Sequence, residues 1–209
     1  MAIIENGILG GFRGKVGTVV GARHRGQDIM RSRGPRKRVN NSPKQRIQQV
    51  RFGLAVEFVR RLSGLVDITY KPGDQITTPG NKAVKEIVSN AITGVYPDFK
   101  LDFPKVRISR GSLQSASAKT VAAAGKITWT WEPNGINEEQ NLEQPVIVAY
   151  CPEKKQALYK INASTRSNGT AILDVTPFLG LTVVTYLCFT SPNQSKFSDS
   201  VFTGELLVS

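Results

Sequence analysis

The sequence predicts an α+β chain, mainly β, in three successive parts. Residues 1–41 read as a glycine-rich basic hairpin arm, 42–100 as a small helical region, and 101–209 as an immunoglobulin- or fibronectin-III-like β-sandwich. Three observations carry this. The first forty residues hold eight glycines, poor material for a helix or a core. A proline-started run with apolar residues every three or four positions follows, as an amphipathic helix requires. Beyond residue 101, short alternating runs recur between turn residues, as in an all-β domain.

In the arm, Lys15–Ala22 and Gln27–Arg33 read as strands. Between them lies Arg23-His24-Arg25-Gly26, where Gly26 can supply the positive φ of a four-residue hairpin loop. An isolated two-stranded hairpin is marginal in water, so the arm is expected to order by docking, for example on a neighbouring subunit. Gly34–Asn41 reads as a basic linker.

Ser42 then fits a helix N-cap, Pro43 the first helical position, and Gln45 completes a capping box. Ile47, Val50, Leu54, Phe58, Leu62 and Leu65 form the apolar stripe, and Gly64 with residues 67–73 ends the helix. Thr78-Pro79 opens a second helix through Ala83, Val84, Ile87 and Val88, stopping at Gly94. It has few turns and needs a partner, so the two helices are expected to pack together. Strands are expected at 106–110, 119–123, 126–132, 145–150, 157–161, 169–176, 181–190 and 201–208. Ile127, Trp129 and Trp131 alternate with Thr128 and Thr130, as in a half-buried strand.

A chain of 209 residues, 40% hydrophobic, suits one large or two small domains and excludes disorder throughout. No apolar run reaches the roughly 18 residues of a membrane-spanning helix. The start shows no signal-peptide pattern. The expectation is a chain without a membrane span, cytoplasmic or in a virion.

Charge is the most informative feature. The net charge is +12. Residues 1–61 hold 14 basic and 3 acidic residues, and the remaining 148 hold 14 and 13. A nearly neutral body therefore carries a basic segment, which points to a polyanion or an acidic protein surface as partner.

Motifs for catalysis are weak. His24 sits between arginines in a glycine-rich loop that offers a base neither pocket nor orienting partner. Cys151 and Cys188 with one histidine do not make a zinc site. They read as buried small hydrophobes, with an inter-sheet disulfide as the alternative in an exported protein. Gly10-Gly11-Phe12-Arg13-Gly14-Lys15-Val16 has Leu9 and Val16 where a phosphate loop needs Gly and Ser/Thr, so nucleotide hydrolysis is rejected. Glu138-Glu139 and Asp98/Asp102 read as solvated loop acids. Asn162, Asn168 and Asn193 open glycosylation triplets that are frequent by chance. No cofactor, metal or catalytic residue is assigned.

The run Asn6-Gly7-Ile8-Leu9-Gly10-Gly11-Phe12-Arg13-Gly14-Lys15-Val16-Gly17 resembles the opening of an uncharacterised bacterial family of about this length. That family shows an N-G-x-L-G-G-F-x-G-K-V-G pattern and a later basic strand, here Met30-Arg31-Ser32-Arg33. Asn90–Gly94 and Ile108–Gly111 look similar too. The resemblance implies no activity and transfers no catalytic residue. A glycine/arginine hairpin before a Pro-capped helix is also similar to proteins of phage structural gene clusters.

The functional expectation is a non-enzymatic structural subunit of a homo-oligomeric assembly, such as a phage or phage-like particle. Arg13, Lys15, Arg23, Arg25, Arg31, Arg33, Arg36, Lys37 and Arg38 would make its charge-pairing contacts with neighbouring subunits. The alternative is non-specific nucleic-acid binding by the same arm. A third reading has Trp129 and Trp131 as a carbohydrate platform, against a core role for both.

Overall fold

The computed structural model describes residues 2–4, 10–24, 27–34, 42–70 and 77–209. The chain divides into two compact units, 1–42 and 43–209.

The first unit is a four-stranded antiparallel sheet, not a two-stranded hairpin. Its strands are β1 (Ala2–Ile4), β2 (Phe12–Val16), β3 (Val19–His24) and β4 (Gln27–Ser32), in that spatial order. The single strand expected over Lys15–Ala22 is broken at Gly17-Thr18 because Gly17 takes φ +54°, which a two-residue hairpin loop can use. Strand β2 is shared: Phe12–Gly14 pair with β1, and Gly14–Val16 with β3. Gly14 at the handover has φ +107°, a conformation side chains rarely adopt. The register of β3 with β4 runs from Val19↔Ser32 to His24↔Gln27. The loop between them is thus two residues, not four, and lies outside the described residues. Phe12 lies over Gly21, its ring where a Cβ would stand, and the Asp28 side chain occupies the same place at Gly11.

The second unit begins with α1 (Pro43–Arg61) and α2 (Ser63–Thr69). The expected continuous helix is interrupted at Leu62, whose ψ of 15° leaves the helical region. The apolar stripe is buried only from its middle onward, at Ala55, Phe58, Val59, Leu62, Leu65 and Val66, while Val50 and Phe52 are exposed. Helix α3 (Pro79–Asn90) starts where Thr78-Pro79 predicts, with the Thr78 hydroxyl accepting from Asn81 N–H at 3.3 Å. It packs on α1 and α2. A hairpin that the sequence reading missed follows, β5 (Ile92–Val95) and β6 (Asp98–Leu101).

Seven strands then run in succession: β7 (Ala118–Ala123), β8 (Lys126–Trp131), β9 (Gln144–Cys151), β10 (Gln156–Ile161), β11 (Thr170–Asp174), β12 (Thr182–Thr190) and β13 (Val201–Leu207). A short helix α4 (Glu138–Asn141) precedes β9. One antiparallel sheet has the order β10-β9-β12-β13 and the other β11-β8-β7. All seven lie close to the expected spans. The expected strand at 106–110 does not form. Val106 and Ile108 are buried there, but the backbone is tied to side chains, Ile108 N–H donating to Ser200 Oγ at 2.9 Å.

Alternation along β9 and β12 divides the core in two. Val146, Val148, Tyr150, Val184, Tyr186 and Cys188 face the helices. Ile147, Ala149, Cys151, Val183, Leu187 and Phe189 face the other sheet, against Ile127, Trp129 and Trp131. Burial on both faces explains why β9 and β12 read as near-continuous apolar runs. At Thr185/Tyr186 the register with β13 shifts past Thr203. The Thr203 hydroxyl accepts from Trp129 Nε1 at 3.2 Å and donates to Thr185 Oγ1 at 2.8 Å. The fold is therefore mainly β, with antiparallel sheets and few helices. Among the described residues, no helix is long and apolar enough to cross a membrane.

Candidate functional site

Five of the nine basic residues assigned to the arm lie in described segments: Arg13, Lys15, Arg23, Arg31 and Arg33. Arg25, Arg36, Lys37 and Arg38 fall outside them. All five are exposed. The register decides which can act together, because directly opposite residues share a face and neighbours along a strand alternate. Lys15 stands opposite Val20, and Val20 opposite Arg31. The ladder continues one residue further, with Arg33 N–H donating to Thr18 O at 2.7 Å. Lys15, Arg31 and Arg33 therefore share one face. Arg23 belongs to the other face, opposite Asp28. Arg13 lies beyond the kink at Gly14. Residues 1–42 carry nine basic and two acidic residues. Among the described residues, no acidic side chain pairs with Lys15, Arg31 or Arg33.

His24 ends β3 and is exposed. The two thiols are free and buried on opposite faces of the β9/β12 sheet, Cys151 toward β8 and Cys188 toward the helices. They cannot form the inter-sheet disulfide. Burial pushes the Cys188 thiol up to about 12, so it stays protonated and unreactive. Trp129 and Trp131 belong to the core and offer no exposed stacking platform. Glu138 and Glu139 stand in the first turn of α4, not in a loop, where acids suit the helix dipole. Asp98 lies in β6, and Asp102 pairs with Lys105 at 2.6 Å. Among the described residues, no group of three His, Cys, Asp or Glu is placed to hold a metal.

The sequence reading missed two polar centres in the second unit. In the first, Arg166 is 1% exposed. Its Nε and Nη2 donate to Glu143 Oε2 at 3.0 and 2.6 Å, and Nη2 also donates to Gln114 O at 2.6 Å. Its Nη1 donates to Asn134 Oδ1, and its guanidinium lies 3.7 Å from the Phe189 ring centre. This ties three loops to one strand. In the second, Arg107 pairs with Asp199 at 2.7 Å, Arg110 with Glu86 at 3.2 Å, and Tyr70 donates to Arg107 O at 2.9 Å. Burial and the nearby Glu86 carboxylate push the Tyr70 hydroxyl up. Each charge in these centres already has an opposite partner, so both fasten loops. No spacing in the sequence joins residues 23 to 92 positions apart.

The comparison of families matches residues 11–204. The chain belongs to DUF6266, a family of unknown function. The DUF6266 match starts inside the arm and ends in β13, so both compact units are part of what defines the family. No curated protein matches the chain.

Proposed function

We propose that this DUF6266 chain is a non-enzymatic structural subunit of a homo-oligomeric assembly, held to its neighbours by the N-terminal sheet. One observation carries the reading: the described residues of strands β2, β3 and β4 bury almost no apolar surface. Among residues 10–24 and 27–34, Gly21 alone is buried. Val16 is 53% exposed, Met30 68% and Ile29 41%. Every residue of the edge strand β4 is exposed, and it carries no Pro and no Lys. Natural proteins protect edges of this kind, because their free N–H and C=O groups recruit another chain. Strands with so little burial in β2, β3 and β4 do not offset the backbone entropy of ordering them, about 1–2 kcal/mol per residue. A second copy that pairs with β4 and covers Met30 supplies what the unit lacks.

In the same reading, strands β7 to β13 form a fibronectin-III- or immunoglobulin-like sandwich. The split into three and four antiparallel strands and the buried tryptophans support it. Such a rigid body with a basic arm suits a phage-like particle, and the location is then the cytoplasm or the virion. The test is light scattering after size exclusion on three proteins: the full chain, a chain starting at Pro43, and the full chain with Met30→Glu. The expected result is a multimer for the first and monomers for the other two. A full chain that stays monomeric as concentration rises would refute the reading.

A further inference from the structure

We infer that the face of the N-terminal sheet bearing Lys15, Arg31 and Arg33 is a contact surface for the phosphate backbone of a nucleic acid. Lys15 and Arg31 lie in one row across β2, β3 and β4, with Val20 between them. Two strand spacings separate them by about 10 Å. Arg33 extends the line along β4 by about 7 Å, the advance of two residues. Among the described residues, no carboxylate lies on this face, since Asp28 is opposite Arg23 on the other. Three exposed cations without acidic neighbours, in a unit with nine basic and two acidic residues, complement a regularly spaced polyanion. A protein partner would need a matching row of carboxylates, whereas any nucleic acid presents the phosphates.

The chemistry also sets the mode. Phe12, the one Phe, Tyr or Trp in residues 1–42, is committed to covering Gly21. The one ring on the face is the exposed imidazole of His24, opposite Gln27, so the face offers charge with little stacking and no base readout. Binding is sequence-independent and falls steeply with salt. The arginines add planar forks that fit phosphate oxygens, and Lys15 adds a point charge.

Two substitutions of equal charge separate this from a bulk charge effect. Arg31→Gln and Arg23→Gln each remove one positive charge, but only the first removes it from the proposed face. Binding of the full-length variants to a fluorescein-labelled single-stranded DNA of mixed sequence is measured by anisotropy across a salt series. Arg31→Gln is expected to lower the slope of log K against log salt by about 0.7, and Lys15→Gln/Arg31→Gln/Arg33→Gln by about 2, the single-strand value per phosphate contact. Arg23→Gln leaves the slope unchanged. As a second readout on the unaltered chain, bound DNA protects Lys15 from acetylation, read by mass spectrometry.

Equal losses from Arg23→Gln and Arg31→Gln would overturn the inference, as would no binding at low salt or no protection of Lys15. The inference does not rest on the assembly reading. The triple variant keeps the oligomeric mass of the full chain, and Met30→Glu keeps the salt slope, so either idea can fail alone.

Discussion

The Arg166 centre gives a sharp test of how the second unit is held together. The perturbation is Arg166→Met, which keeps most of the aliphatic stem and removes the guanidinium. It leaves the Glu143 carboxylate, 5% exposed, without its partner, and it strands Gln114 O and Asn134 Oδ1. Removing one member of a buried pair costs about 3–5 kcal/mol, because the survivor remains desolvated. Against a total stability of about 5–15 kcal/mol that is a large share. For a unit of this size it lowers the melting temperature by about 6–20 °C, at 2–4 °C per kcal/mol.

The assay is urea unfolding followed by tryptophan fluorescence. Trp129 and Trp131, the two tryptophans of the chain, both lie in the core, and Trp131 Nε1 donates to Arg166 O at 3.0 Å. The companion is Arg166→Met/Glu143→Met. With both charges gone nothing ionic is left buried, and replacement of a buried pair by apolar groups is often neutral. The double variant is therefore expected to be more stable than Arg166→Met. A single variant within about 1 kcal/mol of the parent, or a double no better than the single, would refute the account of Arg166 as a desolvated clasp.

Two other predictions follow from local chemistry. Lys155 donates to Glu57 at 2.7 Å, and this hydrogen bond and charge hold the Glu57 carboxyl below its usual 4.5. A depressed folded value stabilises above the unfolded pKa and stops doing so as pH falls through the folded one. The melting-temperature gap between the parent and Glu57→Gln should thus be visible at pH 7 and close in strong acid; a gap that widens on acidification contradicts the pairing. Gly111 donates its N–H to Asp199 Oδ1 at 3.1 Å, and a Cβ there would strike the carbonyl of Phe197. Gly111→Ala should cost about 1–3 kcal/mol, the usual penalty of overpacking, measured in the same urea assay; a neutral substitution would show that this loop yields.

Most strands from β7 to β13 were legible because period-two alternation and turn residues bound them. Ile127, Trp129 and Trp131 face the core as their spacing requires. Strand β9 was legible for another reason, an unbroken apolar run that both core layers demand. The hairpin β5/β6 was not legible, because Ile92, Val95, Phe99 and Leu101 never alternate for long, and Gly94 with φ +97° read as a helix stop. The segment 106–110 carried a strand pattern, yet Ser200 Oγ accepts from the N–H groups of Ile108 and Ser109, and the Thr69 and Tyr70 hydroxyls donate to the carbonyls of Ile108 and Arg107, a choice that depends on residues far away in the chain. In the arm, charge was legible and geometry was not. The same count of arginines serves either face, and only the register of β3 on β4 separates Arg23 from Arg31.

That separation has a consequence for how the two readings of the arm coexist. Odd positions of β4 from Ile29 share a face with Lys15, and even positions share one with Gly21. A neighbour that covers Met30 from the even side leaves Arg31 and Arg33 uncovered on the odd side. Pairing along the β4 edge uses backbone groups and consumes neither face. A subunit contact and a phosphate contact can therefore be made by one six-residue strand at once. Such a contact brings the cations of successive subunits onto a common surface, and each added subunit steepens the salt dependence by its own share of released counterions.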